Sequence, residues 1–371
     1  MNHALTATCD DVLTEVRGHL GCITLNRPRA LNALSLPMIR ALAGTLLAWR
    51  DDPQVQAVAI RGMGKEGPFG AFCAGGDIRF FHQAMLRGDA ELEDFFTEEY
   101  ALNHLIHHYP KPYIAFMDGI VMGGGMGISQ GAACRIVTER TKMAMPETNI
   151  GLFPDVGGGW FLARCPSQGG VWLALTSEVI GVGDALSLKL ADVCFDASRL
   201  GLAWEDLSTL GRYDPASLQQ WQQTYSVTPA PGTLPLAQIA RCFDQSDVLH
   251  MVQALEQEGG DWAAATARAL RTHSPLMLQV TLEQIRRGAG MALADELRME
   301  RDMVRHCFNT RHLSRFMTQT DTMEGIRALV IDKDRQPKWQ PARLEEVTPE
   351  MVAGFFVSPW PAQAHPLRAL T

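Results

Sequence analysis

Two carboxylic acids sit where acids are hard to keep. Pro146-Glu147-Thr148-Asn149-Ile150-Gly151-Leu152-Phe153-Pro154-Asp155 places Glu147 and Asp155 among apolar and helix-breaking residues. A carboxylate is costly to bury there without a partner or a task. Each is therefore a candidate proton acceptor or nucleophile, and a helix cap is the plainer alternative. Glycine turns flank the pair: Gly123-Gly124-Gly125-Met126-Gly127 before it and Gly157-Gly158-Gly159 directly after it. A glycine turn that opens a helix leaves backbone N–H groups without intrahelical acceptors, so it can hold a phosphate or a developing oxyanion. The same glycines also serve tight turns and close helix packing.

The positioning elements follow from the surrounding pattern. Ile114 to Met117 reads as a short strand broken by Asp118-Gly119, and the first glycine turn then opens a small-residue segment suited to a buried helix. Thr14 to Leu25 reads as two strands around Gly18-His19, Pro37 to Arg50 as a helix behind Ser35, and Val55 to Ile60 as a strand leading into a Gly62–Gly70 loop. Ala71-Phe72-Cys73-Ala74-Gly75-Gly76-Asp77-Ile78-Arg79 again puts small residues where a chain must approach something closely. Glu91 to Tyr109 reads as a helix carrying Glu99 and Tyr100. On it His104, His107 and His108 have a spacing that could hold a metal, but read better as surface or packing histidines. Val182 to Leu190 is expected as a helix and Ala191 to Phe195 as a strand. After Arg212 a polar, proline-dotted stretch reads as a connection. Four helical patterns follow: Leu249 to Glu258, Trp262 to Thr272, Pro275 to Arg287 and Leu293 to Phe308.

Size and composition narrow the function. The chain has 371 residues, 46% hydrophobic and 20% charged, with no apolar run long enough for a membrane span. A formal charge of −8 disfavours nucleic acid and acidic membrane surfaces as partners. Eight scattered cysteines without a Cys-x-x-Cys pair argue against zinc and for reduced thiols. Met1 to Asp10 lacks the marks of a secretory or mitochondrial leader, so the expected compartment is the cytoplasm. A polyanionic ligand would need local cations, and Arg27 and Arg29, bracketing Pro28, are candidates.

Together these residues resemble the crotonase superfamily of acyl-CoA enzymes and, within it, the branch of 3-hydroxyisobutyryl-CoA hydrolases. The resemblance rests on ITLNRPRALNAL (Ile23 to Leu34), AFCAGGDIR, the two glycine turns, PETNIG, FPDVGGG and EGIRALVIDKDRQPKW (Glu324 to Trp339), and runs from about Cys22 to Phe355. It implies an α/β fold, a crotonase-like spiral of β-β-α units. Residues 1–212 would form the acyl-CoA-binding core, and a mainly helical region, 213–371, would cover the acyl site. It also implies roles: the Gly76 and Gly124 amides as oxyanion hole, Glu147 as nucleophile or general base, and Asp155 on the substrate 3-hydroxyl. Glu99 would line the acyl pocket, with Cys73, Ala74 and Asp77 in the loop around the adenine and Arg27 and Arg29 toward the phosphates. The implied reaction is hydrolysis of 3-hydroxyisobutyryl-CoA in valine breakdown, with coenzyme A as part of the substrate and no separate cofactor or metal. A homo-oligomer stays open.

Three rivals remain. An enoyl-CoA hydratase of this superfamily uses a second glutamate three residues after the middle glycine of the turn, and that position here is Gly127; an isomerase needs only one glutamate. Gly127-Ile128-Ser129-Gln130-Gly131 matches the G-x-S-x-G of a serine hydrolase, but no strand precedes the serine. A non-catalytic acyl-CoA-binding role is the third, against which both acids count.

Overall fold

The computed structural model describes residues 9–308, 311–312, 315–316 and 319–371. It divides into two compact units, each discontinuous in sequence, whereas the division expected at residue 212 is a single cut along the chain. The first is Met1–Gly76, Ala101–Met143 and Ile180–Thr233; the second is Asp77–Tyr100, Ala144–Val179 and Leu234–Thr371.

The first unit is built on a sheet. β1 (Val12–Arg17) and β2 (Leu20–Leu25) form an antiparallel hairpin. β3 (Ala57–Gly64), β5 (Tyr113–Met117), β7 (Cys134–Val137) and β9 (Val193–Cys194) then add in parallel, giving the order β1-β2-β3-β5-β7-β9. β2 and β5 are buried along their whole length, as parallel strands covered on both faces must be. Each central strand is followed by a short one: β4 (Gly67–Pro68) after β3, β6 (Ile120–Met122) after β5, and β8 (Lys142–Ala144) after β7. Along the chain a helix comes next, α2 (Ile78–Arg87, in the second unit) after β4 and α4 (Gly124–Gln130) after β6, while a 3-10 turn, Glu147–Ile150, also in the second unit, follows β8. This is the expected repetition of β-β-α units.

Phe116, Phe195, Trp204, Trp221 and Tyr225 pack on Leu20, Ala59 and Ile136 to form the core of this unit. Trp221 and Tyr225 correct one expectation, because the polar stretch after Arg212 contains a helix, Pro215–Tyr225. The Asp214 side chain caps it by accepting the Ser217 N–H, Pro215 occupies the first turn, and the two aromatics supply the buried face. Counting glutamines and prolines hides that face.

The second unit is mainly helical. Its helices Val248–Glu258, Gly260–Thr272, Pro275–Gly288 and Leu293–Cys307 match the expected patterns closely, and a further helix, Leu236–Phe243, was not expected. Among the described residues no helix is long and apolar enough to cross a membrane.

Candidate active site

In the first unit the two small-residue loops come together. Cys73 N–H donates to Ile120 C=O (2.9 Å) and Met122 N–H to Cys73 C=O (2.9 Å), so the Ala71–Gly76 loop runs along β6. Leu34 N–H donates to Gly75 C=O (2.8 Å) from the other side. The contact tolerates no side chain. A Cβ on Gly125 would lie 2.4 Å from Cys73 O, and Gly75 has φ +98° with its Cα facing the Gly124 nitrogen, 3.5 Å from where a Cβ would sit. Gly124 is the first residue of α4, where a helix offers its N–H no acceptor. Among the described residues neither the Gly76 nor the Gly124 N–H donates to a protein group. The loop is held from behind by Asp118, 1% exposed, which accepts the Gly70 N–H (2.6 Å), the Thr138 hydroxyl (2.5 Å) and the Arg140 guanidinium. The Asp118-Gly119 break in the sequence is thus a fastening.

The remaining glycine-loop residues divide. Ala74 N–H bonds Leu31 C=O (3.0 Å) and Cys73 is fully buried. Asp77 caps α2 by accepting the Phe80 N–H (3.3 Å). Arg27 is largely committed to its own loop, donating to Ala33 C=O (3.0 Å) beside Asp11, whereas Arg29 is exposed. Pro28 and Leu31, on either side of Arg29, border a groove of about 840 Å³ in this unit, lined also by Arg61, Lys65 and Arg140. Arg61 is held flat on the Trp204 ring, 4.1 Å away.

In the second unit the acids gather. Glu147 opens the 3-10 turn after β8, and its C=O accepts the Leu152 N–H (3.1 Å). Thr148, next in sequence, is tied to Ala174 C=O (3.0 Å) and the Ser177 hydroxyl (2.6 Å). Asp155 accepts the Tyr100 phenol O–H at 2.8 Å. Tyr100 follows Glu99 on α3 (Glu91–His107). Exposures of 2% for Glu99, 8% for Glu147 and 6% for Asp155 leave little water to stabilise charge. Burial first, then Asp155 and Glu147, pushes the Glu99 carboxyl well above the usual range. Burial, then Asp155, does the same to Glu147. Burial also raises Asp155, but the Tyr100 hydrogen bond pulls it back to about 6. Burial thus raises the proton affinity of all three carboxyls, and at Asp155 the Tyr100 hydrogen bond opposes the rise. One Glu99 and one Glu147 oxygen accept no hydrogen bond among the described residues.

Tyr100 had no expected role, although its place beside Glu99 was visible. Glu300, which accepts the Gly157 N–H, and Gln284, which donates to the Pro154 C=O, gave no local signal either. Ser129 is fully buried inside α4 and donates to Gly125 C=O (2.8 Å), so the G-x-S-x-G match presents no exposed nucleophile. His104 and His108 stack ring on ring at 4.1 Å. Six of the eight cysteines are buried and all eight are free thiols.

Known proteins place this arrangement. A family model described as enoyl-CoA hydratase/isomerase matches residues 20–356. A 3-hydroxyisobutyryl-CoA hydrolase from Bos taurus is 39% identical, covering 96% of this chain and 90% of its own, and one from Homo sapiens is 38% identical, covering 95% and 90%. Two crystal structures are similar throughout. A carnitinyl-CoA dehydratase from Mycobacterium thermoresistibile has a TM-score of 0.85 at 34% identity, covering 97% of this chain and 99% of its own. An enoyl-CoA hydratase from Rhodobacter sphaeroides has 0.82 at 37% identity, covering 98% and 100%. The cytoplasmic expectation is overturned, because the vertebrate relatives are named as mitochondrial. It had rested on residues 1–10, of which 1–8 lie outside the described residues. Such an address is a short segment independent of the fold, so a leader's apparent absence was weak ground. With the glycine loops, the gathered acids and matches spanning nearly the whole chain, this protein belongs to the enoyl-CoA hydratase/isomerase family and has the crotonase fold.

Proposed function

We propose that the protein hydrolyses the thioester of a short branched 3-hydroxyacyl-CoA, 3-hydroxyisobutyryl-CoA, to 3-hydroxyisobutyrate and coenzyme A, a step of valine degradation. The observation that carries this is the acid complement. Gly127 stands where the hydratase pattern has its second glutamate, and the additional acid is Asp155, buried and held by Tyr100. The names of the relatives at 38–39% identity agree.

In this reading the Gly76 and Gly124 amides receive the thioester oxygen as it gains charge. Each such donor contributes on the order of 3 kcal/mol to a tetrahedral intermediate. Glu147 either attacks the carbonyl carbon, giving an acyl-enzyme anhydride that water then opens, or takes a proton from the attacking water. The leaving thiolate has a conjugate acid of pKa about 8.5, so it departs with little help from a general acid. Asp155 accepts the hydrogen bond of the substrate's 3-hydroxyl, and Glu99 lines the acyl pocket. Arg29 and the cations of the adjoining groove take the coenzyme's phosphates, with Arg27 shaping their loop. Cys73, Ala74 and Asp77 belong to the loop at the adenine. Water and the substrate's own coenzyme A complete the reaction, and no other cofactor is required.

The two similar crystal structures, of a carnitinyl-CoA dehydratase and an enoyl-CoA hydratase, favour hydration as the second reading. A panel of acyl-CoA esters assayed for free thiol decides between them: 3-hydroxyisobutyryl-CoA should release thiol fastest. Hydration of crotonyl-CoA without thiol release would sink the hydrolase reading.

A further inference from the structure

Asp155 stands on a turn that the chain would not hold unaided. The next residue, Val156, has φ +58°, a left-handed conformation that a β-branched residue avoids and that persists only where its surroundings enforce it. Gly157 follows with φ +88°.

The enforcement comes from two helices far along the chain but in the same compact unit. Glu300, on Leu293–Cys307, accepts the Gly157 N–H with Oε2 (2.8 Å) and the Gly159 N–H with Oε1 (3.2 Å). Gln284, on Pro275–Gly288, donates both to the same Glu300 Oε1 (2.9 Å) and to the C=O of Pro154 (2.7 Å), the residue before Asp155. The turn is therefore fastened on both sides of Asp155. Close packing reinforces it, because a Cβ on Gly159 would meet Glu296 Oε1 at 2.4 Å and one on Gly288 would meet Gly159 O at 2.6 Å.

Glu296, one helical turn before Glu300, is also fully buried. Glu300 itself receives three N–H donors, from Gly157, Gly159 and Gln284.

We infer that Glu300 is a positioning residue, whose carboxylate, bridged by Gln284, clamps the Pro154–Gly159 turn and sets Asp155 for the substrate's 3-hydroxyl. This rests on the role assigned to Asp155 above. Both carboxylate oxygens are required, since each glycine N–H faces a different one.

The test compares Glu300→Gln and Gln284→Met with the wild-type enzyme, each checked for native circular dichroism. Two readouts are used: kcat/KM on 3-hydroxyisobutyryl-CoA against isobutyryl-CoA, and the affinities of the corresponding non-hydrolysable thioether analogues. Glu300→Gln has only one acceptor oxygen. Its preference for the hydroxylated partner should fall about 10-fold or more in both readouts, with kcat affected more than KM. Gln284→Met keeps the carboxylate but loses the bridge to Pro154, and should show a smaller loss in the same sense, so the clamp is still tested if Glu300→Gln does not fold. Unchanged preference in both Glu300→Gln and Gln284→Met, or equal losses on both esters, would overturn the clamp. Failure of the wild-type enzyme to release thiol would remove the hydrolase reading alone, because the analogue affinities need no turnover. A wild-type enzyme without preference for the hydroxylated analogue would overturn the clamp as well.

Discussion

The Ala71–Gly76 loop and the Gly123–Gly125 turn of the first unit offer peptide N–H groups, while the second unit offers the carboxyls of Glu99, Glu147 and Asp155. Amides do not titrate, and their placement depends on backbone approach alone. A side chain as small as a methyl on Gly125 would break it. The carboxyls have a different character, sensitive to every nearby charge and to water. Asp155 shows the consequence. Its proton affinity is raised to about 6 by burial, so its contribution to folding is full at acid pH and is lost as pH rises through about 6. The acid half is thus held together against its own charge at the pH where it would work, a cost common at functional sites.

Mutations can separate the two halves, beginning with the acid that has no substitute. Glu147→Gln should lower turnover by roughly 10³-fold or more while acyl-CoA affinity changes little. Thiol release near the wild-type rate would remove Glu147 from the mechanism. Gly125→Ala attacks the other half. Its methyl must displace Cys73 C=O, and moving an amide from a developing oxyanion typically costs about 10²-fold in kcat. That loss should be nearly independent of pH between 6 and 9, and a strong pH dependence would mean that the loops also govern the acids.

Asp155→Asn keeps the size and removes the charge. It should lose on the order of 10- to 100-fold on 3-hydroxyisobutyryl-CoA and clearly less on isobutyryl-CoA. Equal losses would assign Asp155 to the thioester chemistry itself. Tyr100→Phe is gentler: without the phenol, which holds Asp155 down, the acid limb of the hydroxy-ester profile should move up by about one pH unit. A limb that stays in place would show that another group sets it. Ser129→Ala should leave turnover within a few fold, since the hydroxyl only bonds its own helix. A loss of about 10³-fold would restore the serine-hydrolase reading.

The sequence by itself determined the strands β1, β2, β3, β5 and β9, the four long late helices and the local grouping of Glu147 and Asp155 with their glycine turns. Each of these is a short-range pattern of apolar period, proline and glycine. It also displayed Glu99 and Tyr100 side by side, though nothing nearby marks Tyr100 as the donor to Asp155, 55 residues away. The helix Pro215–Tyr225 was obscured because only Trp221 and Tyr225 of its residues are buried. Tertiary structure alone decided the rest. The fastening of Gly70 by Asp118 and of the Asp155 turn by Glu300, 143 residues beyond Gly157, joins distant segments through hydrogen bonds. It decided the proton affinities too, because these depend on how much water is excluded and which charges stand nearby once the chain has folded.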